Sequence, residues 1–124
     1  MKFITIEGKV KVGRKIGKKI GFPTINIVVP RSFKKDCWGI YFSLIKIGDK
    51  FYPAITHLGP PKTFQLSKAT CESYLLTLKQ NLYHKSVKKR LLFKFREVEQ
   101  FPNVSRLKKQ IKKDIKAAKK FFGL

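Results

Sequence analysis

Carboxylates are the scarcest chemically useful groups in this sequence, so each can be weighed singly: Asp and Glu total 7 against 29 Lys and Arg. Glu7 shares a strand face with Lys9. Asp36, Asp49 and Asp114 fall in a loop, a turn and a helix, and Glu97 and Glu99 follow the last strand beside Arg96. Glu72 differs. In TCESYLLTL, strand alternation puts it on one face with Tyr74, Leu76 and Leu78, which sets a carboxylate in line with core side chains. Partial desolvation there would suit it to the work of a general base; the structural alternative is pairing with a neighbouring Lys.

A second group of residues suggests phosphate. Residues 13–26 read GRKIGKKIGFPTIN, with three glycines, four basic residues and a proline ahead of a Thr and an Asn. Glycines let backbone N–H groups turn towards an anion, and Lys or Arg supplies counter-charge. A Walker loop is excluded, because Gly13 and Gly17 are one residue too close and Lys19 stands where Ser or Thr belongs. What remains is a different glycine-rich cradle running into a strand. On that strand Thr24 and Asn26 share one face, while Ile25 and Ile27 share the other. A hydroxyl and an amide oxygen side by side are hard ligands that suit a partly hydrated Mg²⁺; alternatively both decorate a solvent face.

Other chemistries are disfavoured. Cys37 and Cys71 are far apart with no Cys-x-x-Cys motif, and His57 and His84 have no ligand spacing, so two buried free thiols are expected rather than a zinc site or a disulfide. No apolar run approaches membrane-spanning length and no signal-peptide pattern occurs, which reads as a soluble, cytoplasmic protein without a membrane partner. The formal charge of +22 draws polyanions, either nucleic acid or phosphorylated small molecules; part of it is equally explained as indifferent Lys-rich surface.

The elements that must position these residues follow from periodicity. MKFITIEGKV, TINIVVP, GIYFSLIKI, KFYPAITHL, TCESYLLTL and VKKRLLFKF read as six strands, with Gly48-Asp49 as a tight turn between the third and fourth. RSFKKDCW is irregular, and LGPPKTFQLSKA is a long loop. From about residue 103 to 122 the period changes: Val104, Leu107, Ile111, Ile115, Ala118 and Phe122 step by three and four, with Asn103 as N-cap. Its Lys-laden outer face is read as solvated surface. The expected fold is a single mainly-β domain over 1–124, a small six-stranded antiparallel barrel with a C-terminal helix packed against it.

These residues together resemble the riboflavin kinase family of bacteria and eukaryotes. Gly8-Lys9-Val10 and Gly21-Phe22-Pro23-Thr24-Ile25-Asn26 are similar to its Gly-x-Val and Gly-Phe-Pro-Thr-Ala-Asn motifs. Trp38-Gly39-Ile40-Tyr41, Leu58-Gly59 with Thr63-Phe64, Glu72, Leu82-Tyr83, Phe95-Arg96 and Phe101 follow in the family's order, as do Leu107, Gln110-Ile111 and Asp114. The resemblance covers nearly the whole chain. It implies a Greek-key barrel and transfer of the γ-phosphoryl of ATP to the 5′-hydroxyl of riboflavin, giving FMN and ADP. It further implies that Gly13 and Lys18 lie over the ATP phosphates, that Thr24 and Asn26 hold Mg²⁺ and nucleotide, and that Glu72 is the base. Tyr83 would face the nucleotide; Arg96, Glu99 and Phe101 would line the flavin end.

The sequence departs from the family at Gly59-Pro60-Pro61-Lys62-Thr63-Phe64, at Asn81 and His84 in place of Asp and Gly, and at Glu99. The family's usual bacterial adenylyltransferase domain has no counterpart before the first strand, so the chain is expected to stop at FMN and to act as a monomer. Two other readings remain at this level: a nucleic-acid-binding basic barrel, which leaves Pro-Thr-Ile-Asn and Glu72 unexplained, and a flavin-binding family member without turnover.

Overall fold

A computed structural model of the chain describes residues 3–11, 21–30, 33–60 and 69–124. Every expected strand is present: β1 (Ile4–Lys9), β2 (Ile25–Val28), β3 (Gly39–Ile47), β4 (Lys50–Gly59), β5 (Thr70–Leu75) and β6 (Ser86–Arg96). The helix α1 covers Val104–Phe122, and Lys35–Cys37 forms a short 3-10 turn. All strands pair antiparallel in the order β1-β6-β3-β4-β5-β2. Strands β3, β4 and β5 follow one another across the sheet and β6 returns beside β3, which is the Greek-key connection. The outer strands then approach each other. Lys11 N donates to Asn26 O at 2.9 Å, and a Cβ on Gly8 would lie only 3.3 Å from Ile27 Cβ. Lacking that atom, Gly8 lets β1 close against β2, and the sheet becomes a nearly closed barrel.

Two cores result. Inside the barrel, alternate residues of every strand meet: Ile6, Ile25, Ile27, Tyr41, Ile45, Leu58, Cys71, Leu75 and Leu91 are all buried there. Outside it, α1 covers one wall with Ile115, Ala118 and Phe122, against Ile40, Phe42 and Ile55. Strand β3 is therefore buried on both faces, which explains its GIYFSLI run, apolar but for Ser43. The Phe42 ring stacks on Phe95 at 4.7 Å between centroids.

Helix α1 starts where its cap dictates. Asn103 Oδ1 accepts a hydrogen bond from Arg106 N at 2.9 Å, and Gly123, in the left-handed conformation, ends the helix behind Lys119 and Lys120. No described helix is long and apolar enough to cross a membrane. Both cysteines are free; Cys71 is buried, but Cys37 is only half-buried because the 3-10 turn carries it to the surface.

The barrel interior also holds polar groups that alternation alone would fill with hydrocarbon. The hydroxyls of Ser43, Thr56 and Ser73 form a hydrogen-bonded row across β3, β4 and β5, with Thr56 and Ser73 at 2.7 Å. Lys89 is fully buried between its strand neighbours Ile6 and Ile45.

Candidate active site

The β2–β5 ladder assembles the site. Ile25 pairs with Ser73, Asn26 with Glu72, and Ile27 with Cys71. The side chains of Ile25, Ile27, Cys71 and Ser73 point into the barrel, so those of Thr24, Asn26, Glu72 and Tyr74 occupy the outer face. Thr24 Oγ1 donates to Glu72 Oε1 and Thr70 Oγ1 to Oε2, each at 3.3 Å. Residues 48 apart in sequence thus meet as one polar cluster.

One expectation is corrected here. Glu72 does not stand in line with core side chains: β5 ends at Leu75, and its core face is Cys71, Ser73 and Leu75. The bend after Leu75 breaks the alternation that placed Leu76 and Leu78 with Glu72. Glu72 is half-buried on the outer face, and its carboxylate accepts from two hydroxyl donors.

Two clefts meet at Thr24 and Tyr74, which line both. The first, about 50 Å³, is a slot walled by Phe22, Ile40, Ile55, Phe101 and the apolar stripe of α1, with Glu72, Glu99 and Arg96 at its polar edge. Phe22 contacts Tyr74 edge-on at 5.9 Å. The second is wider, about 310 Å³, and runs along Pro23, Thr24 and Ile25 to the 78–83 segment, ending at Tyr83. Asn26 lines neither cleft; it stands beside Glu72 on the ladder.

Arg96 is fixed rather than free to swing. Its Nε and Nη2 donate to the two Asp114 oxygens at 3.1 and 2.8 Å, and Nη1 donates to Glu97 O at 3.1 Å. Gln110 Nε2 also donates to Asp114 at 2.9 Å. The Arg96 guanidinium, held by that bidentate pair, lies 6.0 Å from the centre of the Phe101 ring, which brings two of the three flavin-end candidates together. Sequence reasoning left Asp114 without a role. Its signal was an acid set inside the apolar stripe between Ile111 and Ile115, four residues after Gln110. His57, buried on the same slot and paired with Glu72 across the β4–β5 ladder, was missed as well. Gly13 and Lys18 lie outside the described residues, as does most of the 59–64 loop.

The oxygen donors fit a hard cation. Thr24, Asn26 and Glu72 offer hydroxyl, amide and carboxylate oxygens on one face, and no group of three His, Cys, Asp or Glu among the described residues offers a dedicated cage. That set suits Mg²⁺, which keeps waters and takes phosphate oxygens as further ligands.

A family model described as Flavokinase, riboflavin kinase, matches residues 1–122. The chain belongs to the riboflavin kinase family. It is 32% identical over 120 residues to an RNA-binding riboflavin kinase of Bacillus subtilis, covering 96% of this chain and 51% of that protein. Identity is also 32% over 120 residues to the bifunctional riboflavin kinase/FMN adenylyltransferase of Escherichia coli, of which 38% is covered. The chain spans about half the length of these curated relatives, or less. Among solved structures, a Streptococcus pneumoniae protein described as a macrolide-efflux protein superposes with a TM-score of 0.81 at 27% identity, over 94% of this chain and 38% of that one. A riboflavin kinase from Trypanosoma brucei shares the fold, with a TM-score of 0.64 at 23% identity, over 99% and 82% of the two chains.

In this riboflavin kinase family member, Asn81 and His84, which replace the Asp and Gly of the family motif, both shape the turn around Leu82-Tyr83. Asn81 Oδ1 accepts from Tyr83 N at 2.9 Å, which keeps the acceptor that Asp would provide. His84 adopts φ +70°, the left-handed conformation suited to the family's Gly, and its N–H donates to Val10 O at 2.7 Å. The turn holds one non-glycine residue in a strained conformation.

Proposed function

We propose that the chain is an ATP-dependent riboflavin kinase that transfers the γ-phosphoryl of ATP to the 5′-hydroxyl of riboflavin, releasing FMN and ADP. The observation that carries this reading is the hydrogen bond between Thr24 and Glu72 at the junction of the two clefts. The wider cleft, ending at Tyr83, takes the nucleotide, with Gly13 and Lys18 over its phosphates. The apolar slot takes the isoalloxazine ring, with Arg96, Glu99 and Phe101 at its far end.

Phosphoryl transfer asks the protein mainly for alignment and for stabilisation of charge on the phosphoryl oxygens. The ribityl oxygen forms its bond to phosphorus as the bond to ADP breaks, and the Glu72 carboxylate accepts the hydroxyl proton. Thr24, by its bond to Glu72, keeps that carboxylate turned towards the junction. Thr24 and Asn26 would hold Mg²⁺, which when bound neutralises phosphate charge.

The test is FMN formation from riboflavin, ATP and MgCl₂, measured by chromatography. Glu72→Gln is expected to lower kcat at least about tenfold, towards the ~10²–10⁴-fold of a positioned base, while flavin binding by fluorescence quenching persists. Unchanged turnover in that variant would remove Glu72 from the base role. Wild-type protein that binds flavin without making FMN would establish the non-catalytic alternative.

A second reading rests on the outer face of α1. Arg106, Lys108, Lys109, Lys112, Lys113, Lys116, Lys119 and Lys120 are all exposed, and the helix's one acid, Asp114, is buried. At ~100° per residue these eight cations fall within about 160° of arc, a single cationic stripe. Such a stripe suits a phosphate backbone, and the Bacillus subtilis relative is named as RNA-binding. The reading predicts steeply salt-dependent RNA affinity that Lys112→Glu with Lys116→Glu weakens about tenfold and Thr24→Ala leaves alone. Equal affinity in all three proteins would reduce the stripe to solvated surface.

A further inference from the structure

Lys89 has no part in the chemistry above, yet it is the largest fully buried side chain of the barrel. It arises on β6, faces inward between Val87 and Leu91, and crosses the interior to the opposite wall. There Nζ donates to Ile25 O at 2.9 Å and to Cys71 O at 3.0 Å. Those two carbonyls belong to different strands. Ile25 sits between Thr24 and Asn26 on β2, and Cys71 immediately precedes Glu72 on β5. The ammonium therefore lies behind the Asn26–Glu72 pair, on the inner side of a ladder whose outer side carries the polar cluster.

A core filler would not need this chemistry. Burying an ammonium costs several kcal/mol in effective desolvation, and a Met of similar length would fill the space without that cost. Burial lowers the Lys89 pKa, opposed by the neighbouring Cys71 and by Glu72 across the ladder. The bonds it makes go to the one short ladder that sets the spacing of the three site residues. Strand β2 is four residues long and ends the strand order, so outside β5 it depends on few partners.

We propose that Lys89 is a positioning residue: its ammonium clamps β2 to β5 from inside the barrel and holds Thr24 and Asn26 at a fixed separation from Glu72. The proposal rests on the kinase reading of those three residues. Its effect should fall on turnover and metal use, because the slot's far end is fixed separately by Arg96 and Asp114.

The experiment compares wild-type protein with Lys89→Met, using steady-state kinetics, amide hydrogen exchange and thermal melts at pH 7. The variant's melting temperature is expected to change little, since relief of the ammonium's desolvation offsets the loss of its two hydrogen bonds to carbonyls. Its kcat is expected to fall about ten- to a hundredfold, as for a small misplacement of reacting groups. The riboflavin KM should stay within about twofold while the Mg²⁺ half-saturation concentration rises, and exchange in 25–28 and 70–75 should quicken while 39–47 keeps its protection. If Lys89→Met does not fold, Lys89→Gln, which keeps a neutral N–H donor on a shorter arm, should show the same pattern at smaller amplitude. A folded variant with wild-type kcat, or with lowered kcat and unaltered β2–β5 exchange, overturns the clamp. Wild-type protein that makes no FMN overturns the kinase reading and the positioning role with it, a result distinct from an active wild type beside an unaffected Lys89 variant. Wild-type turnover in Glu72→Gln would remove only the base, and the Lys89 readouts would still decide the clamp.

Discussion

The slot and the wider cleft share Thr24 and Tyr74 but are built on different principles. The slot is made of secondary structure. Strands β3, β4 and β5 and helix α1 supply most of its walls, Phe22 and Phe101 from connections complete them, and the Arg96–Asp114 pair, with Asp114 nearly buried, locks its polar end. The wider cleft owes more to connections: the approach to β2 on one side and the 78–83 segment, with its side-chain turn at Asn81, on the other, over a floor from β2 and β5. A narrow, largely apolar site suits one flat ring recognised by shape. An open one suits a flexible, charged nucleotide whose phosphates bring their own counter-ions.

That contrast can be broken most directly at Asp114. Asp114→Ala strands Arg96 in the slot wall, and breaking a buried pair costs about 3–5 kcal/mol; because Arg96 keeps 20% of its side-chain surface exposed, the lower figure is expected by urea denaturation. The riboflavin KM should rise with it while the ATP KM holds. Equal losses for both substrates would show that the two clefts do not separate as described.

Aromatic truncation gives a smaller, reciprocal test. Phe101→Ala is expected to weaken riboflavin binding about tenfold, and Tyr83→Ala to raise the ATP KM about threefold, in keeping with the ~0.5–1.5 kcal/mol of an aromatic contact. Each should spare the other substrate, as read by fluorescence titration and initial rates. Crossed effects would exchange the assignments of the clefts.

The smallest expected effect is a gain. His84→Gly relieves a left-handed L-residue worth about 1–2 kcal/mol, offset in part by glycine's extra freedom in the unfolded chain. A net stabilisation of about 0.5–1 kcal/mol is expected in denaturation curves, with activity retained. A loss of stability there would mean that the imidazole makes compensating contacts.

Much of this was legible before any coordinates. Alternation placed Thr24 and Asn26 opposite Ile25 and Ile27, and the helical stripe with Asn103 as its cap located α1. The same alternation, carried past Leu75, misassigned the face of Glu72, because periodicity does not announce where a strand bends. Asp114 and Lys89 were overlooked for a shared reason. Each is a charge at a position whose period says core, and its partner is remote: Arg96 is 18 residues from Asp114, and Ile25 is 64 from Lys89.

The sequence by itself determined which residues form strands and which residues of a strand share a face, since both follow from contacts between near neighbours along the chain. It also determined the family, through motifs kept in order. Only the tertiary structure decided that β2 lies against β5, that Glu72 meets Thr24, and that a lysine from β6 reaches the back of that pair. Those choices depend on strand order and barrel closure, which bring together groups whose separation in sequence carries no local periodicity to read.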